Sequence, residues 1–458
     1  MKNKIIKLKN GGTLIYSRSK LNKCSAVEVG FRVGANNDKK MGTAHFLEHT
    51  LFKKTTSRNN TEVERDRNKI AFLNASTGMD YLIVKFFRTN KLIDKTMAFA
   101  SDILINSVLD DEFMGAEKGV IKEELKMCID DESRDVYLKN YKQAISNPKF
   151  SSDIVGGTEE NIGDIQFADL KNFKNKHFIG NNFVCSVVTS MPLWKTKKLV
   201  NNYFVKNIPL NMGYKKKKSY YDTTTVDKKS AVQIVEKDQE KSSVLISIKI
   251  DVNEMDIFAK NYNYTFLSRY LSGSQGELFL KLRNSGLIYR LGADITSFKD
   301  CSLFNIVFET SKEKIKPTLE IIIDEINSVL SKDISSELID EYRKNLEYYA
   351  DEKMPTRTSI VCHTHLMDYM CYGKLFKLTK KQKKALRNGV TPEGVKKVAN
   401  FIFNKKNEIF VTVLGNAKEK DVPNVEYFKE KFLIAEWLWK RKIWLQGLIN
   451  LKQKFWRF

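Results

Sequence analysis

The sequence predicts an α+β fold of two domains, each of about 220 residues, a size common for independently packed domains. The chain has 458 residues, which at about 100–200 residues per domain allows two to four domains. Hydrophobic residues make up 42% of the chain, so each domain can bury a core. Strand and helix signals in the first half also recur in the second half, at an offset of about 226 residues. Two related domains are therefore expected.

Hydrophobic periodicity places the elements of the first half. Residues 13–17 follow a glycine turn, and apolar residues alternate between 27 and 33, so both segments are predicted strands. Residues 42–53 change to helical spacing, and residues 74–87 return to strand character. The remaining predictions are helices at about 92–108, 114–145, 166–178 and 193–204 and a strand at 182–189.

The second half repeats this order after a polar, charged segment. Residues 211–231 are predicted to be a linker between a catalytic domain at 1–210 and a substrate-contacting domain at 232–420. The strand at 244–250 takes the place of residues 27–33. The other predictions are helices at about 255–271, 276–285, 312–331, 335–350, 355–375 and 391–404, paired strands within 292–310, and a strand at 408–415.

The net charge of +23 attracts anionic partners at long range, although a lysine-rich solvated surface is the simpler explanation. No RNA-binding sequence, zinc-finger spacing or phosphate-binding glycine loop accompanies the charge, so no specific nucleic-acid partner is predicted. The six cysteines form no C-x-x-C pair and are predicted to be free thiols. Without a signal-peptide core or an apolar stretch of about 18 residues, a cytoplasmic protein is expected.

Residues 421–458 are predicted to form a basic aromatic tail. Four of the five tryptophans lie there, among lysines and arginines. A basic amphipathic segment of this kind, here residues 432–458, can lie on the inner face of a membrane. It can equally dock on the protein's own body or on a partner, and the sequence leaves these alternatives open.

The most informative segment is the string His45-Phe-Leu-Glu48-His49. On a helix, residues four apart lie on one face, one turn apart, so both imidazoles can bind one zinc ion. Glu48 borders the same face, where it can activate a water without being a ligand itself. The alternative interpretation is a pair of ordinary histidines on an amphipathic helix.

A catalytic zinc usually takes three protein ligands, so a third donor is needed. The best candidate is Glu124, on the helix predicted to begin near residue 114. Glu117 lies two turns earlier on the same face, where it can orient a histidine or support the water. A downstream glutamate on a helix is what the H-x-x-E-H string requires, which favours a metal site over ordinary histidines.

These residues resemble the motif of the pitrilysin/insulinase family of inverzincin zinc metallopeptidases, which includes the mitochondrial processing peptidases. The resemblance covers most of the chain and is carried in the first half by residues 42–55, 74–77 and 117–125. It implies two homologous domains, each a mostly antiparallel sheet packed with helices. It also implies zinc ligands at His45, His49 and Glu124, a general base at Glu48 and a supporting glutamate at Glu117.

The resemblance extends to substrate contacts in both halves. Asn74 and Ala75 resemble the start of the family's strand beside the cleaved peptide, where substrate is held as an added β-strand. Residues 274–289 resemble a segment whose arginine and tyrosine contact substrate and the tetrahedral intermediate, which implies these roles for Arg283 and Tyr289. An arginine and a phenol are reasonable donors to a developing oxyanion.

The resemblance implies a zinc metalloendopeptidase that hydrolyses small or flexible peptides, with peptide processing as one role. Family chains of this length pair into a two-halved chamber, so a homodimer or a heterodimer with a related subunit is expected. In such a pair, Arg283 and Tyr289 would serve the partner's zinc. The alternatives are a noncatalytic peptide-binding subunit of a peptidase complex and a membrane-surface binding protein. The intact motif favours the enzyme.

Overall fold

The chain folds into two compact units. The computed structural model describes residues 2–19, 23–70, 73–109, 111, 113–130, 132–145, 155–215, 228–251, 262–273, 277–297, 301–349, 355–375 and 380–434. The first unit takes Met1–Asp130, Ser151–Thr223 and Tyr349–Leu378, and the second takes Asp131–Phe150, Thr224–Tyr348 and Thr379–Phe458. Each unit contains one sheet with helices packed against it, which confirms the predicted α+β class.

A six-stranded sheet forms the centre of the first unit. Its strands are β1 (Lys2–Lys7), β2 (Thr13–Arg18), β3 (Cys24–Phe31), β4 (Leu73–Thr77), β5 (Leu82–Thr89) and β6 (Phe183–Thr189). Their order is β1-β2-β6-β3-β5-β4, and every neighbouring pair is antiparallel except β2 and β6. Val27, Val29 and Phe31 of β3 are fully buried, as predicted, but the residues between them are also buried, so β3 is covered on both faces and is not the half-buried strand that a period of two indicates. Strand β4 lies at one edge of this sheet.

The helices of the first unit carry the candidate site. They are α1 (Thr43–Leu51), α2 (Asn60–Asn68), α3 (Ile93–Ile105), α4 (Met114–Asp130), α6 (Glu159–Asp164), α7 (Phe167–His177), α8 (Leu193–Val200) and α13 (Pro355–Tyr372). Helices α1 and α4 pack against each other. Leu47 and Leu51 of α1 and Ile121 and Leu125 of α4 belong to one buried cluster. Because the apolar faces of α1 and α4 share this core, their polar faces meet beside it.

The second unit has a five-stranded sheet of the same design. Its strands are β7 (Ala231–Glu236), β8 (Ser242–Asp251), β9 (Arg290–Ser297), β10 (Cys301–Thr310) and β11 (Glu408–Gly415). Their order is β7-β11-β8-β10-β9, with only β7 and β11 parallel among these strands. This order and these directions repeat β2-β6-β3-β5-β4 of the first sheet, so the predicted internal repeat is visible in the topology.

Helices of both halves of the chain belong to the second unit. They are α5 (Glu132–Ala144), α9 (Tyr262–Ser272), α10 (Glu277–Asn284), α11 (Ile315–Ser331), α12 (Ser336–Tyr349), α14 (Lys380–Asn388), α15 (Pro392–Ile402) and α16 (Val425–Phe432). The amphipathic helix α11 buries Leu319, Ile322, Ile326 and Val329, which are spaced three or four residues apart.

Two helices lie on sheets formed mainly by the other half of the chain. Helix α5 contacts β8 and β11, where the buried Asn140 donates from Nδ2 to the carbonyl oxygens of Leu245 at 3.3 Å and Phe410 at 3.1 Å. Helix α13 contacts β3 and β6 of the first unit. The single helix predicted at 114–145 is therefore two helices, α4 and α5, in different units. Helical periodicity continues through both and does not indicate which sheet each covers.

Three described elements have weak sequence signals. Strand β1 is lysine-rich, α14 is strongly basic, and α2 buries only Val63. The signal for α2 is its capping box, in which Asn59 and Glu62 bind each other's backbone N–H groups. Part of the predicted linker (216–227) and most of the predicted tail (435–458) lie outside the described residues. Among the helices that are described, none has the length and apolar character needed to cross a membrane.

Candidate metal centre

Helix α1 begins at a turn that defines the direction of the helix. Gly42 precedes the helix with a φ of +88°, a conformation that glycine adopts without strain. The two carboxylate oxygens of Asp38 accept hydrogen bonds from the backbone N–H groups of Gly42 at 2.9 Å and Ala44 at 3.0 Å. These bonds satisfy N–H groups that the first turn of a helix leaves unpaired. The orientation of α1 is thereby defined at its start.

The two histidines of α1 lie on one face, as their spacing predicts. Their ring centroids are 4.8 Å apart, and the ring planes are inclined by 79°. The side chain of His45 is 14% exposed and that of His49 is 20% exposed. The opposite face of α1 is buried in the core of the first unit. Both imidazoles therefore stand at the boundary between core and solvent.

Glu124 of α4 completes a three-residue group with these histidines. Its Oε2 lies 3.2 Å from Nε2 of His49 and 3.7 Å from Nε2 of His45. Its side chain is 45% exposed, which leaves one side of the group open to solvent. Across the described ranges, no other set of three or more His, Cys, Asp or Glu side chains is arranged to hold a metal ion.

The donor set suits a zinc ion. One atom from each of the three side chains lies within 4.8 Å of the others. Tetrahedral zinc with bonds of about 2.0–2.2 Å would place neighbouring donors about 3.3–3.6 Å apart, close to the two distances from Glu124. Imidazole and carboxylate are ligands that zinc accepts, and three protein donors leave a fourth position open. The side chains therefore fit a catalytic type of zinc site.

Glu117 binds His49 at Nδ1, the ring nitrogen that does not face Glu124. Its Oε2 is 3.2 Å from Nδ1 of His49, and its Oε1 is 2.5 Å from Nζ of Lys53. Burial opposes the charged form of this carboxylate, but its bonds to His49 and Lys53 lower the pKa of Glu117. Burial likewise opposes a charged His49, but Glu117, Glu124 and Glu48 together raise the pKa of the imidazole. Nδ1 of His49 is thus bound to Glu117, and Nε2 of the same ring faces Glu124.

Glu48 lies between the two histidines in sequence and is held by a strand. Thr77, the last residue of β4, donates a hydrogen bond of 2.6 Å from Oγ1 to Oε2 of Glu48. Burial raises the pKa of Glu48, while the Thr77 hydrogen bond and the neighbouring His49 oppose that rise. A carboxylate with a raised pKa beside a metal position can accept a proton from water.

The predicted peptide-contacting residues lie on the same strand as Thr77. Asn74 and Ala75 of β4 pair with Lys85 and Val84 of β5, and Asn74 is exposed. Strand β4 is the edge strand of its sheet, and no other described strand pairs with its outer side, where a further strand could add. The structure thus brings the predicted substrate strand next to helix α1, with which β4 is in contact.

Arg283 and Tyr289 lie together in the second unit. Nη1 of Arg283, in the last turn of α10, donates to the carbonyl oxygen of Tyr289 at 3.2 Å. The guanidinium carbon is 5.6 Å from the centroid of the Tyr289 ring, and Nζ of Lys241 is 4.5 Å from it. Tyr289 is 65% exposed. The two predicted residues therefore form one exposed cationic and phenolic patch, to which Lys241, absent from the sequence prediction, contributes a second cation.

Besides Lys241, three residues that contact the predicted site residues were not identified from the sequence. Thr77 and Lys53 lie within or next to segments that carry the family resemblance, but their partners are distant in sequence. Gly156 packs against the site: a Cβ added there would lie 3.2 Å from Nδ1 of His45 and 2.7 Å from Cδ2 of Leu125. The Gly156-Gly157 pair was the available signal, because paired glycines often mark a close backbone approach.

Comparisons with protein families match both halves of the chain. Residues 13–156 match the family described as Insulinase (Peptidase family M16). Residues 164–346 match the domain described as Peptidase M16 inactive domain. The first match contains the three possible metal ligands and Glu48, and the two matches together span most of the chain.

Individual relatives agree with this result. The chain is 23% identical over 430 residues to the "Uncharacterized zinc protease" of Rickettsia felis, covering 90% of this chain and 96% of that protein. It is 29% identical over 202 residues to mitochondrial-processing peptidase subunit beta of Neurospora crassa, covering 43% of this chain and 42% of that protein. The similarity to the Rickettsia protein therefore extends over both units.

Solved structures share the fold. A protease from Helicobacter pylori superimposes with a TM-score of 0.76 at 18% identity, covering 90% of this chain and 99% of that chain. The first half of the periplasmic protease PqqL from Escherichia coli gives a TM-score of 0.72 at 15% identity, covering 96% of this chain and 98% of that chain. At such identities the likeness concerns the fold, while function depends on the site residues.

Proposed function

Because this chain belongs to the insulinase family of peptidases (M16), we propose that it is a zinc metalloendopeptidase that cleaves small or flexible peptides. The observation that carries the proposal is the meeting of His45, His49 and Glu124 from two helices around one position, with Glu48 beside it. A pair of unrelated surface histidines has no reason to meet a carboxylate from another helix. The names of the relatives support zinc as the metal.

In the proposed chemistry, each side chain of the site has a separate role. His45, His49 and Glu124 would hold zinc, which would supply Lewis-acid chemistry at this position, toward water and toward the scissile carbonyl. Glu48 takes the proton from the attacking water and later passes it to the leaving amine. Glu117 holds Nδ1 of His49, which directs Nε2 toward the metal position. Asn74 and Ala75 hold the peptide backbone as an added strand on the edge of β4.

Arg283 and Tyr289 are proposed to stabilise the developing oxyanion. Both are donors, they lie together, and the phenol is exposed. We propose that they act in a dimer with a second copy or a related subunit, in which they serve the partner's zinc. A mixture of Glu48→Gln and Arg283→Ala chains then retains one complete site per mixed pair. For a dimer of two copies, an inactive mixture under conditions in which the wild type is active would exclude action in trans.

The direct test compares zinc content and peptide cleavage in matched variants. Glu48→Gln should bind zinc with wild-type stoichiometry and lose about 10²–10⁴-fold in kcat, because it removes the base and keeps the ligands. Glu124→Gln should lose zinc. The control is Glu123→Gln, which changes the neighbouring glutamate of the same helix, whose side chain is 71% exposed. Equal cleavage by wild type and Glu48→Gln would contradict the proposal.

A noncatalytic peptide-binding subunit is the second candidate. It is favoured by the description of the family matched by residues 164–346, which names an inactive domain, and by the relative named as a subunit of a peptidase. Such a protein would bind peptides without cleaving them, alone or after zinc loading. Peptide binding without turnover in both the wild type and Glu48→Gln would therefore favour this candidate.

A further inference from the structure

We propose that Lys53 is a positioning residue for the metal ligand His49 and acts through Glu117. The proposal rests on the proposed zinc site but concerns a residue outside it, two positions beyond the end of α1. Lys53 is not one of the three possible metal ligands, and no ion pair of the described residues joins it to Glu124. Its role is to hold the carboxylate that holds the imidazole.

The contacts form a continuous chain from Lys53 to the metal position. Nζ of Lys53 lies 2.5 Å from Oε1 of Glu117, and Oε2 of the same carboxylate lies 3.2 Å from Nδ1 of His49. Nε2 of His49 in turn lies 3.2 Å from Oε2 of Glu124. Each oxygen of Glu117 thus has a different partner. A carboxylate held at both oxygens cannot rotate about its terminal bond without breaking one contact.

Because Glu117 is buried, the positive charge of Lys53 is important for its carboxylate. The side chain of Glu117 is 6% exposed, and a buried carboxylate is costly without a charged or hydrogen-bonding partner. A histidine that binds a metal is neutral, so it offers Glu117 one N–H but no charge. Within the described part of the chain, the ion pairs of Glu117 are those with His49 and Lys53. In the metal-bound site, Lys53 is therefore the cationic side chain that contacts Glu117 directly, in addition to the more distant charge of the ion itself.

The backbone holds Lys53 in place for this contact. Its backbone N–H donates to the carbonyl oxygen of Thr50 at 3.3 Å, which continues the last turn of α1. The side chain is 25% exposed, so the cation remains partly hydrated while its stem packs against the protein. The same helix end therefore positions both His49 and the cation that fixes the orientation of its partner.

Removing Lys53 should weaken zinc binding through lost orientation of His49. Partners behind a metal-ligating histidine typically contribute 10–100-fold to metal affinity. Lys53 acts one contact further away, so Lys53→Met should weaken zinc binding by about 3–10-fold. Lys53→Arg keeps a cation at the carboxylate and should restore affinity to within about twofold.

The test measures the zinc dissociation constant by competition with a chelator, independently of turnover. The variants are Lys53→Met, Lys53→Gln and Lys53→Arg. The matched control is Lys126→Met, which also removes the lysine of a lysine–glutamate ion pair on α4, but one that is 51% and 71% exposed. This control should bind zinc like the wild type. Lys53→Gln, which keeps the side chain polar, provides the measurement if Lys53→Met does not fold.

A double-mutant cycle with Glu117→Gln tests the route of the effect. If Lys53 acts through Glu117, Lys53→Met should weaken zinc binding in the wild-type background and have no further effect in Glu117→Gln. An equal loss in both backgrounds, or no loss beyond twofold in Lys53→Met and Lys53→Gln, would overturn the inference. If the wild-type chain binds no zinc, the proposed function fails together with this inference. If the wild type binds zinc and cleaves peptide while the Lys53 variants bind zinc normally, only the inference about Lys53 fails.

Discussion

Oγ1 of Thr77 donates a 2.6 Å hydrogen bond to Oε2 of Glu48, which joins the last residue of the edge strand to the proposed base. The two residues are 29 positions apart in sequence. Strand β4 also carries Asn74 and Ala75, which are proposed to bind the substrate backbone. The bond therefore links the position of the base to the strand on which the peptide would lie.

Replacement of Thr77 by valine should lower kcat with little change in KM. Valine has a similar shape but no hydroxyl, so Glu48 loses the donor that orients its carboxylate. We expect a loss of about 10-fold in kcat, because a misplaced catalytic group is costly while substrate contacts remain. Thr77→Ser keeps a hydroxyl and should recover most of the activity. Equal loss in the valine and serine variants would indicate a packing role for Thr77 instead.

The same variant should alter the pH dependence of kcat/KM. Burial raises the pKa of Glu48, and the Thr77 hydrogen bond opposes this rise because it stabilises the carboxylate. Its removal should therefore raise the pKa of Glu48 further. Since the base works in its deprotonated form, the acidic limb of the profile should move to higher pH in Thr77→Val. An unchanged or downward-shifted limb, measured under identical zinc loading, would contradict this assignment.

Gly156→Ala should weaken zinc binding, whereas Gly163→Ala should not. A Cβ at residue 156 would lie 2.7 Å from Leu125 and 3.2 Å from the His45 ring, so the imidazole must shift or the loop must move away. At Gly163 the added Cβ meets no heavy atom within 4 Å. We expect a roughly 10-fold weaker zinc affinity for Gly156→Ala, by analogy with the loss of a partner that orients a ligand. Similar zinc affinities for the two variants would show that the loop adapts.

Zinc should stabilise the protein only when the three ligands are intact. A ligand that binds the native state alone contributes about 2.7 kcal/mol when its free concentration is 100-fold above Kd. Thermal unfolding should therefore shift upward with zinc in the wild type and in Glu48→Gln, and a chelator should reverse the shift. Glu124→Gln should show little shift. A large zinc-dependent shift in Glu124→Gln would place the metal elsewhere.

Asp102 should make the first unit more stable at neutral pH than in acid. It is 8% exposed and accepts hydrogen bonds from four side chains, those of Thr55, Ser57, Arg58 and Asn106. Burial opposes its charge, but these donors lower the pKa of the carboxyl. A carboxyl with a lowered folded pKa contributes stability above its unfolded pKa of about 3.9 and loses it as pH falls through the folded pKa.

Urea unfolding of Asp102→Asn measures this contribution. We expect a loss of about 2–3 kcal/mol at pH 7, since the charged acceptor of a buried network is removed. The difference from the wild type should begin to shrink as pH falls below about 4, where the unfolded carboxyl takes up a proton, and should level off below the lowered folded pKa, where the carboxyl is neutral in both states. Asp94→Asn, at an exposed position of the same helix, is the control. A pH-independent difference would mean that shape, not charge, determines the effect.

The sequence predicted much of the site because helical spacing is a local property. The periodicity of residues 42–53 was sufficient to place His45 and His49 on one face with Glu48 at its border. The helix of Glu117 and Glu124 was likewise predicted from its apolar spacing. The prediction that Glu124 is the third donor, and not the adjacent Glu123, agrees with the geometry, since Oε2 of Glu124 lies 3.2 Å from Nε2 of His49.

By itself, the sequence determined the α+β class, the internal repeat and which side chains share a helix face. Only the tertiary structure decided that α5 and α13 each pack on the sheet formed mainly by the other half, and that Lys53 and Thr77 hold Glu117 and Glu48. The reason is physical: hydrophobic periodicity depends on neighbouring residues, whereas these contacts join residues 29 or more positions apart. Such contacts form only when separate elements are packed around a shared core.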